Sequence, residues 1–246
     1  MRIQIRARPA AACTRASSKS RQRKLADPYT VSLQVIAQLD SVSKLFGTFA
    51  ALRQVTATFH GGRCYVITGE NGAGKSTLLR IIAGLAQPSM GKVQIFGSHK
   101  TDEVRARIGY LSHASMLYDE LSAAENLSYF ARLYPAQQTR TPQEALQLVG
   151  LDPSLTRPVG HYSQGMRQRT SLARVLLSRP ELLLLDEPFS NMDAASAQQM
   201  IALLKSQRGS STILLTTHQP ELAREIADTS VAMHAGQITR FEAIAQ

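Results

Sequence analysis

The order of elements along the chain predicts an α/β fold, a mostly parallel sheet with helices on both sides. Three observations predict it. Residues 63–68 (RCYVIT) form a short apolar run that ends at Gly69 and passes through a glycine-rich loop into a helical pattern beginning at Lys75. Residues 181–186 (ELLLLD) are too short for a helix and apolar almost throughout, as expected of a parallel strand covered on both faces. Between and beyond these two landmarks, strand and helix signals alternate.

Taken in order, the chain becomes strand-like from about residue 33, and Val55, Ala57 and Phe59 alternate with Thr56 and Thr58 before a Gly61-Gly62 turn. The segment from Lys75 places apolar residues at Leu78, Leu79, Ile82 and Leu85, a helical spacing. From about residue 101 to 178 the signals are predominantly helical. Two helix starts there carry capping boxes, Ser122 with Glu125 and Thr141 with Glu144, the second with Pro142 at the first helical position. This region reads as an inserted helical lobe, about residues 112–178. A helix pattern over 194–207, a strand over 212–216 and a small hairpin around Ala235-Gly236 complete the chain.

A chain of 246 residues with 43% hydrophobic residues is long enough to bury a large core, which excludes wholesale disorder. Its apolar runs are a handful of residues long, such as 182–185, against the ~20 needed to span a bilayer, so a membrane role is expected to be peripheral. The net charge of +10 invites a nucleic-acid reading, but its location argues otherwise. Of the 28 Lys and Arg residues, eight lie within residues 1–24, where there is no acid, and the remaining 20 face 18 Asp and Glu. The body is therefore near neutral, and no nucleic-acid partner is expected. Residues 1–32 form a basic leader. Its composition fits a disordered extension, an upstream start, an organellar transit segment or an arm for anionic lipid or nucleic acid. The two cysteines, Cys13 and Cys64, make neither a disulfide framework nor a zinc cluster and fit a reducing compartment.

Chemistry concentrates at four places. Gly69, Glu70, Asn71, Gly72, Ala73, Gly74, Lys75, Ser76 and Thr77 (GENGAGKST) match the phosphate-loop pattern in the strand-to-helix setting that it requires. The glycines let backbone N–H groups and a helix N-terminus point at phosphate, Lys75 reaches the β and γ phosphates of ATP, and the Ser76 hydroxyl ligates Mg²⁺. The bland alternative is a Gly-rich turn before a helix. Asp186, at the end of the apolar strand, is the carboxylate that such a loop needs for its metal, and Glu187 stands where a carboxylate orients and deprotonates water. Here the alternative is an acidic pair serving as a helix cap. Ser163 and Gly165, in YSQGM, open a helix with a hydroxyl and a glycine N–H that together suit an anion. His218 follows the strand ILLTT.

Together these segments resemble the ABC transporter ATP-binding subunits, and the likeness covers roughly residues 35–242. It implies a P-loop NTPase fold with an N-terminal antiparallel β subdomain and a helical lobe inserted into residues 33–246. It further implies ATP hydrolysis with Mg²⁺ in a head-to-tail dimer, with Ser163 and Gly165 serving the nucleotide of a second ATPase subunit. His218 then corresponds to a switch histidine at the γ-phosphate, Asp193 to a residue of the partner-contacting loop, and Phe46 to an aromatic that stacks on adenine, with core packing the alternative for Phe46. His113 stands where the family has a glutamine that touches the metal or its water; a neutral imidazole there can accept a water hydrogen bond or ligate a metal. The implied partner is an integral membrane transporter subunit, at the cytoplasmic face of the inner membrane. Residues 112–134 and the YSQGM loop look most like the haem-exporter ATPases of cytochrome c maturation. Drug and polysaccharide exporter ATPases are the nearer alternative, and soluble ABC ATPases acting on nucleic acid or ribosomes the more distant one.

Overall fold

The computed structural model describes residues 34–134 and 139–244; the basic leader and Cys13 lie outside them. Two sheets build the fold. The smaller is antiparallel, in the order β2-β1-β4, from β1 (Val35–Phe46), β2 (Phe49–His60) and β4 (Met90–Ile95). The larger has six strands in the order β5-β6-β7-β3-β8-β9: β5 (Ile108–Leu111), β6 (Leu182–Asp186), β7 (Thr212–Thr216), β3 (Cys64–Thr68), β8 (Thr229–His234) and β9 (Gln237–Ala243). All neighbours in it pair parallel except β8 with β9, the terminal hairpin. The expected α/β class with an antiparallel N-terminal sheet is thus observed.

Burial on both faces explains why the central strands lack polar alternation. Successive side chains of a strand point to opposite faces, and here each face meets its own apolar layer. Leu183 and Leu185 of β6 join Cys64, Val66, Ile213 and Leu215 in one layer, against helices α3 (Ala123–Ala131), α4 (Pro142–Leu148), α5 (Gln164–Leu176) and α6 (Ala194–Gln207). Leu182 and Leu184 join Tyr65, Ile67 and Leu214 in the other, against helix α1 (Lys75–Ile82) and the antiparallel sheet. A two-sided sheet leaves no register slip that keeps both layers filled.

Local signals held where the chemistry is short-range. Both capping boxes form: the Ser122 and Thr141 hydroxyls accept from the Glu125 and Glu144 N–H groups, and each glutamate accepts from the cap residue's own N–H. Two local readings differ, and one strand was not read at all. Residues 108–111 lie within the stretch expected to be predominantly helical, yet they form the edge strand β5, because Gly109 lets the chain pass under α5: a Cβ there would stand 2.6 Å from Val175. Strand β4 carries no strong apolar pattern, since its first three residues are exposed; pairing with β1 makes it a strand. Helix α1 stops at Ile82, and Leu85 lies beyond it, largely exposed. A short helix α2 (Thr101–Val104) precedes β5, and α7 (Pro220–Arg224) lies between β7 and β8.

Cys64 shows what the covered sheet does to an ionisable group. Its N–H donates to Asp228 Oδ2 (2.7 Å), and Asp228 is paired with Arg208. Burial, with the Asp228 charge, pushes the thiol up from 9.0 to about 12, Arg208 acting in the opposite sense. The unfolded thiol ionises first as pH rises, so this group's contribution is whole below pH 9.0 and is lost progressively toward pH 12. We expect Cys64 to resist iodoacetamide at pH 8 in the folded protein and to be alkylated readily in guanidinium, as read by mass spectrometry of its peptide.

Candidate functional site

The loop from Gly69 to Gly74 links β3 to α1 at the carboxyl edge of the larger sheet. Its three glycines at 69, 72 and 74 all have positive φ, but only two are also crowded. A Cβ on Gly69 would lie 2.3 Å from the Met233 carbonyl oxygen of β8, and one on Gly74 would lie 2.5 Å from the Ala51 oxygen of β2. The loop is wedged between backbones of both sheets. Gly74 caps α1 in the left-handed region, and Lys75, 6% exposed, folds back so that Nζ donates to the carbonyls of Gly69 (2.7 Å) and Glu70 (3.1 Å).

Across from the loop stand the ends of β6 and β7. Asp186 is buried, and its Oδ1 accepts from Ser76 Oγ (2.8 Å) and from Thr216 Oγ1 (2.8 Å). Tyr110 of β5 lies farther off, its hydroxyl 3.4 Å from Oδ2. Burial, reinforced by the Asp186 charge, raises the Tyr110 phenol and keeps it a donor. Glu187 adopts φ 55, a left-handed conformation uncommon outside glycine. Its N–H donates to Thr216 Oγ1 (3.0 Å), and its Oε2 accepts from the His218 N–H (3.1 Å). The His218 ring Nε2 lies 3.3 Å from Oε1, within ion-pair range but outside hydrogen-bonding geometry, so this buried oxygen has no hydrogen-bond partner.

A cavity of about 230 Å³ collects most of the expected residues: Phe46, Asn71, Gly72, Ala73, Gly74, Lys75, Ser76, Thr77, Glu187 and His218 line it. Gly69 and Asp186 sit just behind through Lys75 and Ser76, and Glu70 is exposed beside them. Phe46 is not a core residue; it is 54% exposed at the β1–β2 turn, with Lys44 Nζ 5.1 Å from its ring centroid. Ser163, Gly165 and His113 do not line this cavity. Ser163 caps α5, its hydroxyl accepting from the Met166 N–H (3.3 Å), and Gly165 is buried where a Cβ would stand 2.6 Å from Ser196 Oγ. His113 is exposed on the segment after β5. Asp193 caps α6, accepting from the Ser196 N–H (2.9 Å).

Three contributors escaped the sequence reading. Phe49 faces the cavity from the start of β2 and had a signal, an aromatic directly after the Gly47-Thr48 turn. Thr216 and Tyr110 had none, because their roles depend on which strands lie side by side.

A glycine loop wrapped on a helix start, a lysine folded into it and a carboxylate buried opposite a hydroxyl are the arrangement of a phosphate-loop nucleoside triphosphatase. Known proteins narrow that class. Residues 52–190 match the family model described as ABC transporter. The chain is 36% identical over 198 residues to the ABC transporter ATP-binding protein NatA of Bacillus subtilis, covering 76% of this chain and 80% of that one. It is 31% identical to the bacitracin transport ATP-binding protein BcrA of Bacillus licheniformis, covering 84% and 69%, and 37% identical to the sulfate/thiosulfate import ATP-binding protein CysA of Methylococcus capsulatus, covering 82% and 61%. A dimeric post-hydrolysis structure of the ATP-binding cassette MJ0796, bound to ADP and Pi, superposes with TM-score 0.76 at 25% identity, covering 86% of this chain and all of that one. The chain belongs to the ABC transporter family as an ATP-binding subunit, and it is an ATPase.

Crowding at Gly69 gives a direct expectation. Gly69→Ala forces a Cβ against the Met233 carbonyl in a backbone conformation that disfavours side chains, a cost of about 1–3 kcal/mol. ATPase activity falls at least about ten-fold and the thermal midpoint drops by several degrees, whereas Gly72→Ala, with open space around it, costs less; activity assays and thermal melts on the pair read the difference.

Proposed function

We propose that this chain drives export through a separate membrane subunit by hydrolysing ATP in a head-to-tail dimer. The observation that carries the hydrolytic part is Glu187: the residue lines the cavity with Lys75 and His218, and one of its carboxylate oxygens has no hydrogen-bond partner. Such an oxygen suits a water to be oriented and deprotonated. Lys75 and His218 meet phosphoryl charge, the N–H groups of residues 70–77 cradle phosphates, and the exposed Phe46 offers its face to adenine.

Ser76 and Asp186 supply hard oxygen donors already in contact, and they fit Mg²⁺, an ion that keeps waters and takes phosphate oxygens rather than a full protein cage. Among the described residues no three of His, Cys, Asp and Glu gather to hold a metal. When bound, the ion neutralises phosphate charge. His113 is assigned to the same metal's outer environment on resemblance.

Two features favour a dimer. Ser163 is exposed at a helix start outside the chain's own cavity, as expected of a group serving a second subunit, and the MJ0796 cassette is described as dimeric. Gly165 also has a packing role within the chain, against Ser196. Residues 33–246 are taken as the ATPase unit, with the helical lobe at about 112–178 and residues 1–32 as a leader. No helix among the described residues is long and apolar enough to cross a membrane. The cytoplasmic face of the inner membrane and a pore in a separate subunit are assigned on the resemblance to transporter ATP-binding subunits. Haem is the proposed cargo, on the resemblance of residues 112–134 and YSQGM; drug export is the second reading, favoured by the likeness to BcrA.

Glu187→Gln is expected to bind ATP while turning over ~10²–10⁴-fold more slowly, and to gather as an ATP-dependent dimer in size-exclusion chromatography. Near-normal turnover removes Glu187 from this role. Stimulation of the ATPase by a co-purified membrane protein, with haem and bacitracin compared as effectors, separates the cargo readings.

A further inference from the structure

We propose that Thr216 is a positioning residue for hydrolysis: its one hydroxyl fixes Asp186 and Glu187 relative to each other and to the end of β7. The proposal rests on the reading of those carboxylates given above. A threonine hydroxyl has one hydrogen to donate and lone pairs to accept with. Here the hydrogen goes to Asp186 Oδ1 (2.8 Å), and Oγ1 accepts the Glu187 N–H (3.0 Å). The residue is fully buried, so water does not substitute for either bond.

The location follows from the sheet. Parallel pairing sets Asp186 beside Thr216 and Ile67 beside Thr216 on the other side, so Thr216 sits between the metal-side strand and the phosphate-loop strand. Asp186 Oδ1 also accepts from Ser76, but a hydroxyl that serves a cation must turn its oxygen toward that cation. Thr216 has no such second duty and remains on Asp186. Tyr110, at 3.4 Å from Oδ2, is too long to replace it.

Thr216 acts on Glu187 through its backbone. The left-handed conformation at Glu187 persists only if its surroundings over-determine it. Thr216 holds the N–H and His218, two residues on in the same segment, holds the carboxylate Oε2. One end of β7 therefore grips Glu187 at both its backbone and its side chain. Without the Thr216 hydroxyl, the Glu187 N–H loses its acceptor in the chain and the carboxylate is free to leave the cavity mouth.

The test compares Thr216→Val, which keeps shape and deletes the hydroxyl, with Thr216→Ser, which keeps the hydroxyl, and with Glu187→Gln in parallel. Steady-state ATPase gives kcat and KM, a fluorescent ATP analogue gives affinity, and thermal melting shows that each variant is folded. The valine variant should lose about 10- to 100-fold in kcat with KM and affinity within about three-fold of the parent, and serine should restore kcat to within about three-fold. A valine variant with parental kcat overturns the proposal, as does a serine variant as slow as valine. Thr216→Ala deletes the same hydroxyl without bulk and reads identically if valine folds poorly. If Glu187→Gln is arrested while Thr216→Val is normal, Thr216 alone loses its role. If Glu187→Gln turns over normally, the carboxylate reading fails and this proposal falls with it.

Discussion

The parallel register of β3, β7 and β6 is the constraint on which the site depends. These strands begin and end together, so Thr68, Thr216 and Asp186 emerge at one edge, and the phosphate loop, His218 and Glu187 follow directly from them. Two apolar layers hold that register, because a shift of one residue exchanges the side chains assigned to the two faces. The polar chemistry is a consequence of apolar packing several residues away. Asp186 is carried to the Ser76 hydroxyl by the four leucines before it, each buried.

That dependence explains which features could be read in the sequence. The glycine loop, the capping boxes, the helix at 194–207 and the strand at 212–216 are governed by contacts a few residues apart, and all are found where expected. The fold class was legible for the same reason. Strand β4 was not, because an exposed segment becomes a strand only when β1 lies beside it. Strand β5 was hidden among helical signals, and its four residues owe their place to β6. In the site, residues such as Lys75, Asp186 and Glu187 stood out by motif, whereas Thr216 and Tyr110 act across strands that are 30 and 76 residues apart in sequence. Phe46 needed the structure for another reason: an aromatic near a turn is compatible with either core or surface, and exposure decides it.

One of the left-handed non-glycine residues stands at the same edge. Glu187 takes a left-handed conformation while its neighbour Asp186 still belongs to the strand, and the turn that follows is closed by the Ser190 N–H donating to the Glu187 carbonyl (3.2 Å). A conformation of this kind costs on the order of 1–3 kcal/mol, offset by the surrounding core. Its effect is to swing successive carboxylates in different directions, one back onto Ser76 and one toward the cavity.

The folded-back Lys75 carries a consequence for the order of events on the loop. With two of its three donors already committed to the Gly69 and Glu70 carbonyls, the cation is solvated by the protein itself, and the loop keeps its curvature by wrapping its own lysine. Any anion reaching that position meets an ammonium that already has ligands. An incoming oxygen takes the third donor first and displaces a peptide carbonyl only to gain a second, so each further bond to the ammonium is made at the expense of the loop's own curvature.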